Sequence, residues 1–257
     1  GMTLPLITYA LFASGHGEKS IGAVYGANTL GSIVGVFAAA HVGLPLLGLK
    51  GLIATGAAID VALGLVLLWR GAGTQSIRRR SPPRLRLVAS GLALVSFAAV
   101  LALVQLDHYK MASGVFRRGE LYTEQDAKLI FHKDGKTATV SMMDFSEGRS
   151  LRTNGKSDGA INMHPGARIS DEITMVLTGA LPLAYKPDAR HAAVIGVVTG
   201  LSTHTLVASA AMESVDTIEI EPAMAEASRL FAPINSNTFA DPRSHIIFDD
   251  AKTYFST

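Results

Sequence analysis

His191-AAVIGVVTGLSTHTLVASAAMESVDTIEIEP-Ala223 sets an apolar run, a glycine turn, a helix-like run and a second apolar run ending in carboxylates in that order. This is how an α/β nucleotide- or nucleoside-binding domain begins. Residues 192–195 are short and uniformly apolar, as in a strand buried within a parallel sheet. Gly196-VVT-Gly200 then turns the chain toward a helix expected over 202–212, whose free N–H groups would face a ligand. Residues 217–221 read as a second strand. Pro222 suits the first turn of the next helix, where a missing N–H costs nothing. After Asp241-Pro242 a third strand is expected over 244–248, ending in Asp249-Asp250.

Glu219 lies 23 positions after Gly196. At that distance a carboxylate closing the second strand can accept both ribose hydroxyls of a nucleoside seated over the turn. Strand periodicity places Glu219 and Glu221 on the same face, so it leaves both open for the role. A structural βαβ unit with solvated carboxylates is the competing reading, because many folds share that unit.

The rest of the chain differs in kind. The 257 residues are 48% hydrophobic with a mean hydropathy of +0.30 and a formal net charge of +2. Residues 1–110 hold nine Lys or Arg against three Asp or Glu, whereas 111–257 hold fourteen against eighteen. The positive charge therefore clusters beside apolar runs, and no basic groove for nucleic acid is expected. Cysteine is absent, which excludes disulfides, thiolate metal sites and a cysteine nucleophile. The eight histidines are scattered without metal-ligand spacing, so no metal is expected. Ser202 and Ser209 have no nucleophile-elbow motif around them, which argues against a serine hydrolase.

Residues 3–14 are apolar but too short to cross a bilayer and read as a partial first helix, with no signal peptide evident. Residues 21–47 contain no charged side chain, residues 51–69 form a second apolar run, and 87–106 form a third. Three runs apolar on all faces predict transmembrane helices rather than buried core helices. Gly22, Gly26, Gly31 and Gly35 recur at the small-xxx-small spacing that lets helix backbones approach in lipid, the basis for an expected homo-oligomer face. Asp60 sits within the second run, either as a substrate or proton contact or as a neutral acid bonded to a neighbouring helix. The arginine- and proline-rich stretch 77–86 predicts a cytoplasmic loop. If the third run crosses the bilayer, the C-terminal part emerges on the other side, whereas cofactor supply favours a cytosolic domain. The side stays open.

Between these parts, 128–143 alternates around Asp134-Gly135, a strong hairpin signal, and turns follow at Ser146-Glu147-Gly148 and Asn154-Gly155. A small β-meander is expected, then a helix over 171–183.

The runs Val194-IGVVTG-Leu201, Ile218-EIEP-Ala223 and Asp241-PRSHIIFDDA-Lys252 resemble the nucleoside half of spermidine synthases, the polyamine aminopropyltransferases. Ile21-GAVYGANTLGSIVG-Val36, Leu44-PLLGLKG-Leu52, Leu151-RTNGKSDG-Ala160 and Asp171-EITMVLTGALPL-Ala184 resemble the membrane-fused branch of that family. The resemblance implies a multi-pass helical membrane segment, a small meander and the first half of a class I methyltransferase-like (Rossmann-like) α/β domain. The corresponding divisions are membrane helices in 1–72, a basic loop and third span in 73–107, meander and connecting helix in 108–184, and an incomplete Rossmann-like domain in 185–257.

The activity implied is aminopropyl transfer from decarboxylated S-adenosylmethionine to putrescine or a related amine, without a metal. Residues carried over by position are Gly196, Thr199 and Gly200 at the turn, Glu219 for the ribose and Asp250 for the adenine amino group. Asp158, where soluble members have glutamine, and Asp171 complete the set. Val198 stands where the family has a middle glycine, and Met175-Val176-Leu177 replaces its Tyr-His-Glu-like run. The family's catalytic aspartate is expected beyond Thr257, so the chain as given is expected to be inactive. Two alternatives stay open: a non-catalytic transporter- or sensor-like membrane protein with a nucleoside-binding module, and an S-adenosylmethionine-dependent methyltransferase. An integral protein of the bacterial inner membrane is the expected location.

Overall fold

The computed structural model describes residues 3–70, 83–166 and 168–256, and the chain divides into two compact units, Gly1–Leu106 and Asp107–Thr257. The first unit is helical. α1 spans Thr3–Leu11, α2 Lys19–Ala38, α3 Leu44–Arg70 and α4 Pro83–Leu103. A π-turn at Ala39–Gly43 carries α2 into α3 without a break, and Gly48 (φ 65°, ψ 179°) then interrupts helical geometry inside α3. The spans expected at 21–47 and 51–69 therefore form one helical run, Lys19–Trp69, with its bend at Gly48 rather than at Lys50. The third is shifted to Pro83–Leu103, because Pro83 occupies a first helical turn that needs no N–H and draws Arg84 and Arg86 out of the expected loop. Among the described residues, two stretches rather than three are thus long and apolar enough to cross a membrane. The remainder of the basic loop, 71–82, lies outside the described residues.

Almost nothing in these helices is buried within the chain: Leu30, Val36, Leu67 and Leu103 are each at least two-thirds exposed. A Cβ placed on Gly22, Gly26, Gly31 or Gly35 meets no atom within 4 Å, so among the described residues that glycine face is open. Asp60 is exposed on α3, with no hydrogen bond or ion pair among the described residues.

The second unit starts with two short helices, α5 (His108–Ser113) and α6 (Val115–Arg118). Asp107 caps the first by accepting from the amides of Tyr109 and Lys110. An antiparallel meander follows, β1 (Lys128–Asp134), β2 (Thr139–Phe145), β3 (Gly148–Thr153) and β4 (Lys156–Ile161), paired in sequence order. At the β3–β4 turn Asn154 and Gly155 both have positive φ (49° and 80°), the geometry of the Asn-Gly hairpin turn. Asp134-Gly135 does not form such a two-residue turn. The β1–β2 loop runs from Gly135 to Ala138, because Thr137 is drawn away to a carboxylate, Glu221, of the α/β layer.

That layer comprises α7 (Ser170–Tyr185), β5 (His191–Ile195), α8 (Leu201–Val207), β6 (Ser214–Ile218), α9 (Pro222–Ser228), α10 (Asn237–Ala240), β7 (Ser244–Ile247) and α11 (Ala251–Tyr254). The three strands are parallel in the order β5-β6-β7. β2 is buried on both sides. Val140 and Met142 join Leu151, Ile161, Leu201, Met224, Ala227 and Phe231 in the main core, while Met143 packs with Ala112 and Ala127. A third cluster of Leu206, Val207, Met212 and Val215 holds α8 on the sheet. There the hydroxyls of Thr203 and Thr217 satisfy each other at 2.7 Å, as buried polar groups must.

α8 ends at Val207, five residues before the expected Met212. The cause is Arg243, just ahead of β7. Its guanidinium donates to the carbonyls of Val207, Ser209 and Met212, taking over the acceptors that a longer helix would have used. Asp241 holds that guanidinium in place, accepting from Nε at 2.9 Å and from Nη2 at 2.7 Å. The side-chain hydrogen bond from Arg243 lowers the Asp241 pKa from 3.8 to about 2. A carboxyl depressed in the folded state contributes stability that is present above its unfolded pKa and lost as pH falls through the folded value. Asp241→Asn should therefore lower the melting temperature at neutral pH, and its difference from wild type should close as the pH is taken from about 4 to about 2. A difference that stays constant over that range in thermal melts would rule out the ion pair as its source.

Candidate functional site

The carboxyl ends of β5 and β6 meet at the glycine turn. Gly196 donates to the Ile218 carbonyl at 2.8 Å, and positive φ at Gly196 (87°), Val198 (42°) and Gly200 (78°) coils the segment before α8. Glu219 follows β6 directly and is only 6% exposed. Its Oε2 accepts from the Val197 amide and its Oε1 from the Glu221 amide, both at 2.9 Å. A carboxylate oxygen can accept two hydrogen bonds, so each Glu219 oxygen keeps one acceptor position. Two vicinal hydroxyls match that pair.

Glu221, which strand periodicity cannot distinguish from Glu219, has a different fate. It lies beyond the end of β6 with φ −112° and ψ 104°, and caps α9 through the Ala223 amide. Its Oε2 also accepts from the amide and hydroxyl of Thr137, at 2.7 and 2.9 Å. Glu221 thus ties the meander to the sheet, and Glu219 is the carboxylate at the turn.

Behind the turn, fully buried Asn235 donates through Nδ2 to the Thr199 and Ser228 carbonyls, both at 2.8 Å. Thr238 donates to the Gly200 carbonyl at 2.6 Å. A Cβ at residue 200 would lie 3.0 Å from the Thr238 hydroxyl, so close approach as well as positive φ requires glycine there. No motif marks Asn235 or Thr238; tertiary contact alone reveals them.

In front of the turn, Thr199 is fully buried and its hydroxyl donates to the sulfur of Met175, on α7. Met175, Val198 and Thr199 crowd around Gly159 of β4, where an added Cβ would meet all three. Thr199 thus faces α7 through its side chain. Asp158, next to Gly159, is mostly buried and pairs with Lys156 at 2.9 Å. Asp171 lies in the first turn of α7, one turn before Met175, with no hydrogen-bond or ion-pair partner among the described residues. Asp250 follows β7, and its Oδ1 caps α11 by accepting from Lys252 and Thr253. The exposed carboxyl leaves Oδ2 available. The structure thus brings Gly196, Gly200 and Glu219 together, sets Asp158 beside them through Gly159, and places Asp250 at the end of the adjoining parallel strand.

A cavity of about 530 Å³ runs between α7 and α8 and is lined by Val176, Leu177, Leu201 and His204 among others. Its lining includes Leu201, directly after the turn, but none of Gly196, Glu219 and Asp250. His204 accepts there from the Asn237 amide through Nδ1, which places the proton of the neutral ring on Nε2, and burial lowers its pKa.

Residues 174–257 match the family described as the spermine/spermidine synthase domain. Among curated proteins, none matches the chain. A spermidine synthase in complex with the transition-state analogue AdoDATO and the spermidine synthase from Thermotoga maritima each align at 16% identity with a TM-score of 0.42, over 49% of this chain and 42% of theirs. A probable spermidine synthase from Corynebacterium glutamicum ATCC 13032 aligns at 18% identity with a TM-score of 0.38, over 48% and 46%. The chain spans less than half the length of each of these structures.

The β-branched Val198 at φ 42° bears strain of about 1–3 kcal/mol. Val198→Gly exchanges that strain for lost packing and added chain entropy, so unfolding stability should stay within about 1 kcal/mol of wild type. Val197→Gly, at a buried position with no such strain, should cost about 2–3 kcal/mol. Equal losses in denaturant melts would mean that Val198 is unstrained.

Proposed function

We propose that residues 107–257 carry the nucleoside-binding part of an aminopropyltransferase-type site, with decarboxylated S-adenosylmethionine as co-substrate and putrescine or a related amine as acceptor. The observation that carries this reading is Glu219, a buried carboxylate fixed by two backbone amides at the glycine turn with one acceptor position left on each oxygen. The spermine/spermidine synthase domain match over 174–257 supports it. In the bound state Glu219 would hold the two ribose hydroxyls and Asp250 Oδ2 would accept from the adenine amino group. Gly196 and Gly200 allow the backbone to approach the sugar.

The reaction is a substitution at carbon. The amine lone pair attacks the carbon beside the sulfonium, the C–N bond forms as the C–S bond breaks, and methylthioadenosine leaves as a neutral thioether. The attacking nitrogen then gives up a proton to a carboxylate. What the protein contributes is alignment of the two reactants and an anionic surround for a cationic amine. Asp158 adjoins Gly159 and Asp171 lies one turn before Met175, two residues that pack against the glycine turn, and we assign both carboxylates to the amine side of the site.

The apolar helices of residues 3–103 are proposed to lie in a lipid bilayer, of a bacterial inner membrane in our reading. Large side chains exposed along their length would otherwise face water. A second reading, a non-catalytic nucleoside-binding membrane protein, is favoured by Val198 and Met175, which crowd the front of the turn.

The test is calorimetric titration of the full chain, in detergent, with decarboxylated S-adenosylmethionine, S-adenosylmethionine and methylthioadenosine. Glu219→Gln should weaken nucleoside binding by about 1–3 kcal/mol, or roughly 5- to 150-fold, because a charged acceptor shared by two hydroxyls becomes a neutral amide. Unchanged affinity in a variant with wild-type melting would remove Glu219 from the ribose. Tighter binding of S-adenosylmethionine than of its decarboxylated form would point to methyl transfer, and binding without spermidine formation from putrescine to the non-catalytic reading.

A further inference from the structure

We propose that a second site, formed by Ser113, Arg117, Arg152, Lys156 and Ser157, binds a phosphate group. Arg152 on β3 is only 5% exposed, yet among the described residues no carboxylate lies within ion-pair distance of it. Its Nη1 donates to the carbonyls of Ala112, Ser113 and Gly155, and its Nε is buried without a partner. Tyr122 and Phe145 stack near the guanidinium, with ring centroids 4.9 and 5.7 Å from it. Carbonyl dipoles and ring faces orient this cation but do not neutralise it, and a buried charge without a counter-charge is costly.

The missing charge has a place to sit. A cavity of about 40 Å³ adjoins Arg152 and is walled by Ser113, Gly114, Arg117, Gly155, Lys156 and Ser157. The space exceeds what a single water occupies, about 10–15 Å³, and is far too small for a nucleotide, so we assign it to one tetrahedral oxyanion. Arg117 is exposed and in no ion pair among the described residues. Lys156 shares its charge with Asp158 at 2.9 Å. Three cations against one carboxylate leave a net of two positive charges around the cavity, which matches a phosphate dianion. Ser113 already donates to the Tyr109 carbonyl and accepts from the Tyr122 amide, whereas the Ser157 hydroxyl, within 3.0 Å of Ser150, can be turned to donate to an anion.

Inorganic phosphate and the headgroup of a phosphatidic acid present the same chemistry. The test is titration calorimetry of the full chain in non-ionic detergent and chloride buffer, with inorganic phosphate in one arm and dihexanoyl phosphatidic acid in the other. Dihexanoyl phosphatidylcholine serves as the headgroup control. Saturable binding is expected, about tenfold weaker in Arg117→Gln and in Lys156→Gln, both surface changes that leave the Arg152 bonds to the backbone in place. Equal affinity for both ligands identifies a free phosphate site, and about tenfold tighter binding of the phosphatidic acid than of either other ligand identifies a lipid headgroup site. No saturable binding in either arm, or binding unchanged in variants that melt like the wild type, overturns the proposal.

Discussion

The hydrogen bond from the Val197 amide to Glu219 organises the α/β layer. It joins the loop after β5 to the residue after β6, so that two adjacent strand ends share one carboxylate. The amide of Glu221 takes the other oxygen and starts α9, while Asn235 and Thr238 hold the back of the same loop through the Thr199 and Gly200 carbonyls. A loop with three residues at positive φ would ordinarily be mobile. Here the amide of Val197 and the carbonyls of Thr199 and Gly200 all have partners, and a defined cradle follows from that satisfaction.

Two glutamates separated by one residue show how position beyond a strand end divides roles. While a chain stays extended, residues two apart point to the same face. β6 stops at Ile218, so the rule no longer applies at 219 and 221. Glu219 turns back onto the loop. Glu221 caps the following helix and reaches Thr137 of the meander. That second link also explains the β1–β2 loop: Asp134-Gly135 has the composition of a tight turn, but the bonds from Thr137 to Glu221 outweigh local preference and lengthen the connection.

Elements specified by local chemistry are readable in the chain itself. Asn154-Gly155 makes its turn because both positions require positive φ, and Pro222 opens α9 because its lost N–H has no partner to miss. The apolar runs of the first hundred residues form helices for the same local reason. Whether a neighbour shortens or joins an element is not local. α8 loses five residues to Arg243, which is distant in sequence, and the two apolar runs on either side of Lys50 join because nothing between them except Gly48 departs from helical geometry. Arg152 gives no signal at all, since a basic residue in a strand reads as a solvated face until the hairpin and α5 close over it.

By itself, then, the sequence determined the order of the parts: apolar helices, an antiparallel meander, and parallel strands with a glycine turn and acidic strand ends. Each of these depends on residue type and short-range spacing, which chain order preserves. Only the tertiary structure decided which glutamate serves the turn, that Thr199 is sealed against Met175 and that Asn235 and Thr238 support the loop. It also decided that a guanidinium is enclosed without a counter-charge among the described residues. These outcomes depend on which polar groups meet once water is excluded, and pairing between residues tens of positions apart is set by packing rather than by spacing.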